Sequence, residues 1–254
     1  MPHSFGDTMT MRKLIAILVL LLGCAAAAHA TTYYIDYASG SNSNSGTSKG
    51  SPWKSHPYMQ NAAGCAGAPP SYTHVAGDQF IFKGGVTWPA ACFPINITNG
   101  GTSGVQDYYG VDLTWFSGGS FTRPLFDLNY TPTNNVISAS SGMGTSGYIT
   151  FDNLEIAHQG ITINTGAGTY TAYEFTFGWQ GTIITNGYIH DWATSGSVGF
   201  GTLNYEYGGI DGYVTMDHTE MSDANGYFFS GATKITGVPF GGACHNCRAV
   251  QYSK

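Results

Sequence analysis

Phe151-Asp152-Asn153-Leu154-Glu155-Ile156 and, 33 residues on, Ile184-Thr185-Asn186-Gly187-Tyr188-Ile189 share one pattern: apolar, polar, Asn, any residue, polar, apolar. Met216-Asp217-His218-Thr219-Glu220-Met221 repeats it 32 residues later with His in the Asn place, and a degenerate copy surrounds His245-Asn246-Cys247 after a further 28. Periods in this range mark stacked-repeat architectures, in which each unit buries its apolar face only against its neighbours. Each copy reads as a short strand, a bend and a second short strand. Asn suits the bend because it tolerates left-handed backbone and can hydrogen-bond the next coil. Helical repeats need a 3.6-residue period and good helix formers, whereas these segments are rich in Thr, Tyr and Gly. A β-sandwich leaves the recurring Asn unexplained. The pattern therefore predicts an all-β chain folded as a parallel β-helix.

Outward from the repeats, the N-terminus reads as a leader. Arg12 and Lys13 precede an apolar run from Leu14 to Leu22, and Ala28-His29-Ala30 has the A-x-A form of a cleavage site. The expectation is a signal peptide over 1–30 and a secreted, periplasmic or cell-surface protein. Leu21-Leu22-Gly23-Cys24 also fits a bacterial lipobox, so a lipid on Cys24 is the competing signal. The run is short for a membrane span, and no later segment reaches ~20 apolar residues. Cleavage after Ala30 leaves 224 residues with 7 basic and 14 acidic side chains, a net charge of about −7. Such a surface is a poor partner for nucleic acid or an anionic membrane.

Four cysteines follow the leader: Cys65, Cys92, Cys244 and Cys247. An even number in an exported chain favours disulfides over metal. Cys65 and Cys92 flank one polar, Pro-rich stretch and are expected to form a bond. Cys244-His245-Asn246-Cys247 lacks the second pair that zinc would need, and reads as a local disulfide or two packed thiols.

Thr31-Thr32-Tyr33-Tyr34-Ile35-Asp36-Tyr37 reads as a strand, and Ser39 to Thr47 as a plain polar turn with nothing to bury. Ser51-Pro52-Trp53-Lys54 matches the S-x-x-K of serine acylases without any companion motif, and is set aside. Gly77-Asp78 to Gly84-Gly85 brackets an alternating strand. These stretches, with Gly100-Gly101-Thr102-Ser103-Gly104 and the Asn-bearing units, resemble secreted right-handed β-helix proteins of the pectate-lyase-like superfamily over most of residues 33–250. The resemblance implies a right-handed solenoid with an N-terminal cap: cap and first strands over 31–100, coils over 101–254. Because no capping segment is recognisable before Lys254, the solenoid is expected to be incomplete at its C-terminal end. It also implies action on acidic polysaccharides, as a lyase, hydrolase, epimerase or tailspike.

Stacked coils put equivalent residues ~4.8 Å apart. Three outward columns result: Asp152, Thr185, Asp217, His245; then Glu155, Tyr188, Glu220, Arg248; then His158, Asp191, Asp223, Gln251. Two carboxylates one rung apart repel unless a cation lies between them, and calcium takes such oxygen ligands. Asp191, Asp223 and Glu220 are therefore the candidate calcium ligands. His190, beside Asp191, reads as an oriented base; Tyr188 and Trp192, with Tyr205 and Tyr207, are candidates to stack on sugar rings. Lyase chemistry on a uronate needs a cation, a base for the C5 proton and an acid for the leaving oxygen. In the related lyases that base is commonly Lys or Arg near calcium, which points here to Lys234 and Arg248. The Asn-Thr-Asp, Asp-Asp, Gly-His-Gly and Arg-Ile-Lys signatures of polygalacturonases are missing from these 254 residues. The alternative is a non-catalytic binding solenoid of adhesin or tailspike type, in which outward Asp, Glu and His are simply solvated.

Overall fold

The computed structural model describes residues 29–60, 64–131, 135–139, 147–158, 171–176, 181–191, 203–206, 214–217, 220–222, 229–230, 243–245 and 248–250. They form three sheets whose named strands all pair in parallel. The first holds β1 (Thr32–Ile35), β2 (Gln79–Phe82), β5 (Asp107–Gly110), β8 (Ile149–Asp152), β11 (Thr182–Thr185), β14 (Val214–Asp217) and β17 (Ala243–His245). The second holds β3 (Thr87–Pro89), β6 (Leu125–Asp127), β9 (Glu155–Ala157), β12 (Tyr188–His190), β15 (Glu220–Ser222) and β18 (Arg248–Val250). The third holds β4 (Ile95–Ile97), β7 (Asn135–Ala139), β10 (Thr171–Thr176), β13 (Leu203–Glu206) and β16 (Phe229–Ser230). From β2 onward the chain visits first, second and third sheets in strict rotation, and from β5 onward each strand pairs with its counterpart one circuit earlier. The only helical turn among the described residues is a 3₁₀ turn at Ala90–Cys92, and none of their helices is long and apolar enough to cross a membrane.

Period-2 alternation explains the stacking. Phe80, Tyr109, Phe151, Ile184, Met216 and Cys244 occupy one register column of the first sheet. Trp88, Phe126, Ile156, Ile189, Met221 and Ala249 form its counterpart in the second. Wherever burial is described in these columns, the side chains are essentially inaccessible to solvent. Each such residue stabilises by about 1.5–3 kcal/mol on burial. Cys244 thus holds a position in an apolar column; Cys247 lies outside the described residues. The third sheet was not foreseen, because the chain between its strands varies in length and blurs any period.

The bends behave as the Asn reading predicts. Asn153 and Asn186 both adopt left-handed backbone, with φ of 56° and 51°. The Asn153 amide donates to the Thr185 carbonyl of the next circuit (3.1 Å). Both Asn side-chain amides donate to Asp152 Oδ1, at 2.9 and 2.8 Å, and the Tyr108 hydroxyl donates to its Oδ2 at 2.6 Å. His218 and Asn246 lie outside the described residues.

Before β2 the chain covers sheet edges that unpaired backbone would leave open. β1 pairs with β2; the Asn96 amide of β4 donates to Tyr58 O, and the Gln60 amide donates to Pro94 O. Cys65 and Cys92 are disulfide-bonded, as expected. The Ser39–Thr47 loop corrects its reading as a plain turn. Asn42 Oδ1 accepts from the Lys54 and Ser55 amides, and its Nδ2 donates to Ser55 and to Ala68 O. Gly46, at φ +73°, lies so close to the Trp53 ring that a Cβ would sit 2.5 Å from it. Lys54 of the S-x-x-K match sits over the Tyr37 ring.

Candidate functional site

Two successive circuits end their second-sheet strands on left-handed residues, His158 (φ 55°) after β9 and Asp191 (φ 54°) after β12. This places polar side chains of β6, β9 and β12 on one edge. Asp127 of β6 and His190 of β12 both pair with Ala157 of β9, so they stand one strand to either side of it. The resulting contacts alternate acid and base. Asp127 Oδ1 lies 2.8 Å from His158 Nδ1, and His158 Nε2 lies 3.8 Å from Asp191 Oδ2. Asp191 Oδ2 lies 2.7 Å from His190 Nδ1, and His190 Nε2 lies 3.0 Å from Glu155 Oε1. Tyr188 stacks on His190 with centroids 4.0 Å apart, and Tyr130 leans on His158 at 5.2 Å.

Burial and charge set the chemistry of this group. His190 is the most enclosed member, with 13% of its side chain exposed, and Asp191 the most open at 45%. Burial by itself lowers the His190 pKa, but its hydrogen bonds to Glu155 and Asp191 outweigh that, and the net shift is upward. With both ring nitrogens on carboxylates, the imidazolium is the fully satisfied form. Tyr130 titrates above the usual tyrosine range through burial first, then the charges of Asp191 and Asp127. An imidazolium between carboxylates can release a proton to a leaving oxygen, and a carboxylate-oriented imidazole can accept one.

The structure unites part of the expected site. Tyr188, His190 and Asp191 lie together on this edge, and strand register puts Tyr188 between Glu155 and Glu220, with Arg248 beyond Glu220. The Asp191 carboxylate is engaged by His190 and approached by His158. Asp223, Lys234, Trp192 and Tyr207 lie outside the described residues. Tyr205 of β13 falls in the register column of Phe175, Ala139 and Ile97 in the third sheet, away from the strands of this edge. No group of three or more metal-ligating side chains is arranged to hold an ion among the described residues.

Asp127 and Tyr130 escaped the sequence reading. In their circuit the bend between β5 and β6 is not a single Asn but the loop 111–124, so the repeat frame does not extend back to them. The available signal was Leu125-Phe126-Asp127, whose alternation matches Tyr188-Ile189-His190.

No protein-family model matches the chain, and no curated protein matches it. Among solved structures, the selenomethionine derivative of GH136 lacto-N-biosidase from Eubacterium ramulus aligns with 14% identity and a TM-score of 0.54. The alignment covers 84% of this chain and 37% of that one, so the chain spans well under half of that enzyme's length. The native form of the same enzyme aligns at 16% identity with a TM-score of 0.46, over 84% and 36%. The likeness is one of fold.

Proposed function

We propose that the chain is a right-handed parallel β-helix with an N-terminal cap, that it is exported, and that it acts on a carbohydrate at the edge built by Asp127, His158, Asp191, His190 and Glu155. The observation that carries this reading is the alternating acid–base cluster on the bends of two successive circuits. Its supports are the strict rotation of strands among three parallel sheets and the fold likeness to a lacto-N-biosidase. Purely solvated side chains on a solenoid have no reason to join end to end, whereas a proton-transfer site needs an acid, a base and groups that orient them.

Charge governs which glycan fits. Three carboxylates repel a uronate unless a cation lies between them. An acidic polysaccharide therefore requires calcium, with Asp191, Asp223 and Glu220 as its ligands and Lys234 or Arg248 as the base. Cleavage is then a β-elimination: the base takes the C5 proton, the glycosidic oxygen leaves with a proton from His190, and no water is consumed. Hydrolysis is the second reading, favoured by one observation: Asp191 and Glu155 sit on opposite sides of the His190 ring. A carboxylic acid and a carboxylate base need ~6.5–9.5 Å between them to admit water.

One assay separates these. The full chain is incubated with pectate, alginate, glycosaminoglycans and neutral oligosaccharides, with and without a chelator, while reducing ends and ultraviolet absorbance are followed together. Elimination raises both signals and fails with chelator; hydrolysis raises reducing ends alone. Asp191→Asn is expected to abolish either activity. Binding without cleavage establishes the non-catalytic solenoid, and neither binding nor cleavage removes the carbohydrate reading. N-terminal sequencing of secreted protein is expected to begin at Thr31; a lipidated Cys24 refutes that boundary.

A further inference from the structure

Tyr130 stands out in the cluster because its backbone and its side chain ask for different residues. It follows Asn129 in a turn where both adopt left-handed backbone, with φ of 45° and 51°. The turn is well held. Asp127 Oδ1 accepts from the Asn129 amide (2.8 Å), the Thr131 amide donates to Leu128 O (2.8 Å), and the Tyr130 amide donates to His158 O (2.7 Å). All of these bonds use backbone of residues 128–131 or the Asp127 carboxylate, so none of them requires a tyrosine. For the turn alone, Gly or Asn at 130 is the unstrained choice, and a bulky aromatic there is an outlier. This chain uses Gly freely, with 36 of them, and yet has Tyr at this position.

The ring it carries is half-buried and rests on His158, with centroids 5.2 Å apart and planes tilted by 52°. Across the cluster Tyr188 lies nearly parallel on His190, at 4.0 Å and 17°. Among the described residues each imidazole therefore has a tyrosine against it, while its nitrogens face carboxylates. Tyr188 sits mid-sheet, where its partner is the imidazole two residues on in the same strand. Tyr130 sits at the outer end of the group, beyond β6, on a turn flanked by the exposed Asn129 and Thr131.

We infer that Tyr130 is the sugar-stacking, specificity-determining residue of this site, its ring held beside His158 by a left-handed turn that is strained for the sake of that placement. The inference rests on the carbohydrate reading above. An aromatic ring with a polar edge matches the chemistry of a pyranose, whose axial C–H face is apolar and whose rim carries hydroxyls. A sugar ring on Tyr130 would have the His158 and Asp191 groups at its edge, where a proton is to be moved.

The test compares the full chain with Tyr130→Phe, Tyr130→Asn and Tyr130→Gly on one array of neutral and uronate-containing oligosaccharides, alongside thermal melts. Tyr130→Phe is expected to keep affinity within about threefold of wild type, because the ring face does the work. Tyr130→Asn and Tyr130→Gly are expected to lose at least tenfold, while their melting temperatures equal or exceed that of wild type as strain is relieved. Undiminished binding by Tyr130→Asn overturns the role given to Tyr130 and leaves the carbohydrate reading standing. So does a melting temperature that falls in both Asn and Gly variants, since the ring is then a packing element. Absence of any array signal from the wild type overturns the carbohydrate reading itself, and the role of Tyr130 with it.

Discussion

Two regions of the described structure contain histidine–carboxylate pairs, and they are built oppositely. Near β2, Asp107 is fully buried. Its Oδ2 lies 2.8 Å from His74 Nε2, and its Oδ1 accepts from the Gly77 amide at 2.7 Å. Asp78 beside it accepts from the Thr31 and Val75 amides and the Tyr72 hydroxyl, and Asp36 accepts from Ser39 and Lys83. Each of those carboxylates is buried and accepts from at least one backbone amide. At the β9–β12 edge, by contrast, Asp191 and Glu155 accept from imidazoles, and their faces meet solvent. A fully buried carboxylate that holds backbone amides is architecture; a solvent-facing one whose partner titrates is available for chemistry. The same pair of residue types thus serves two ends, and burial decides which.

The strongest way to break this comparison is to remove a carboxylate from each region. Asp107→Ala is expected to cost about 3 kcal/mol, since it empties a buried site and leaves the part-buried His74 ring and Gly77 amide without their acceptor. Asp127→Ala, at the half-exposed edge, is expected to cost under about 1 kcal/mol. Urea denaturation of the two variants measures the difference; equal losses would show that the edge cluster is as structural as the N-terminal one.

A smaller effect sharpens the role of the bends that hold the edge in place. Asn186→Ala loses the donor to Asp152 and must keep φ near 51°, for a cost of about 2 kcal/mol. Asn186→Gly keeps the backbone and loses only the hydrogen bond, about 1 kcal/mol. If Gly is no better than Ala in chemical denaturation, left-handed backbone is not what Asn supplies there.

The gentlest probe is pH, and the two regions respond with opposite sign. His56 is fully buried against Phe80 and Tyr109, its Nδ1 accepts from the Tyr58 amide, and burial holds its pKa well below normal. Its contribution is present above the unfolded value of ~6.5 and is lost as pH falls below it. His190 has a raised folded pKa, so its contribution is full below ~6.5 and is lost as pH rises through the folded value. Melting temperature is expected to decline on both sides. His56→Leu should flatten the acid limb and His190→Gln the alkaline limb. A pH profile unchanged in either variant removes that histidine from the account.

Local sequence determined β1, β2 and, from β8 onward, the strands of two sheets, their register and the left-handed Asn bends, because period-2 alternation and Asn chemistry act within a few residues. That is why Glu155, Tyr188, Glu220 and Arg248 were placed in one column correctly. Cys65 and Cys92 were legible for a similar reason, as two cysteines flanking a single polar, Pro-rich stretch. The third sheet was not legible, since its strands are separated by segments of unequal length and only ladder hydrogen bonds align them. Nor was the site as a whole. Asp127 and His158 are 31 residues apart, and His190 and Glu155 are 35 apart. Sequence determined which of these residues titrate. Only the tertiary structure decided which ones meet, because a contact between circuits depends on the lengths of all the loops between them, and no local pattern encodes that sum.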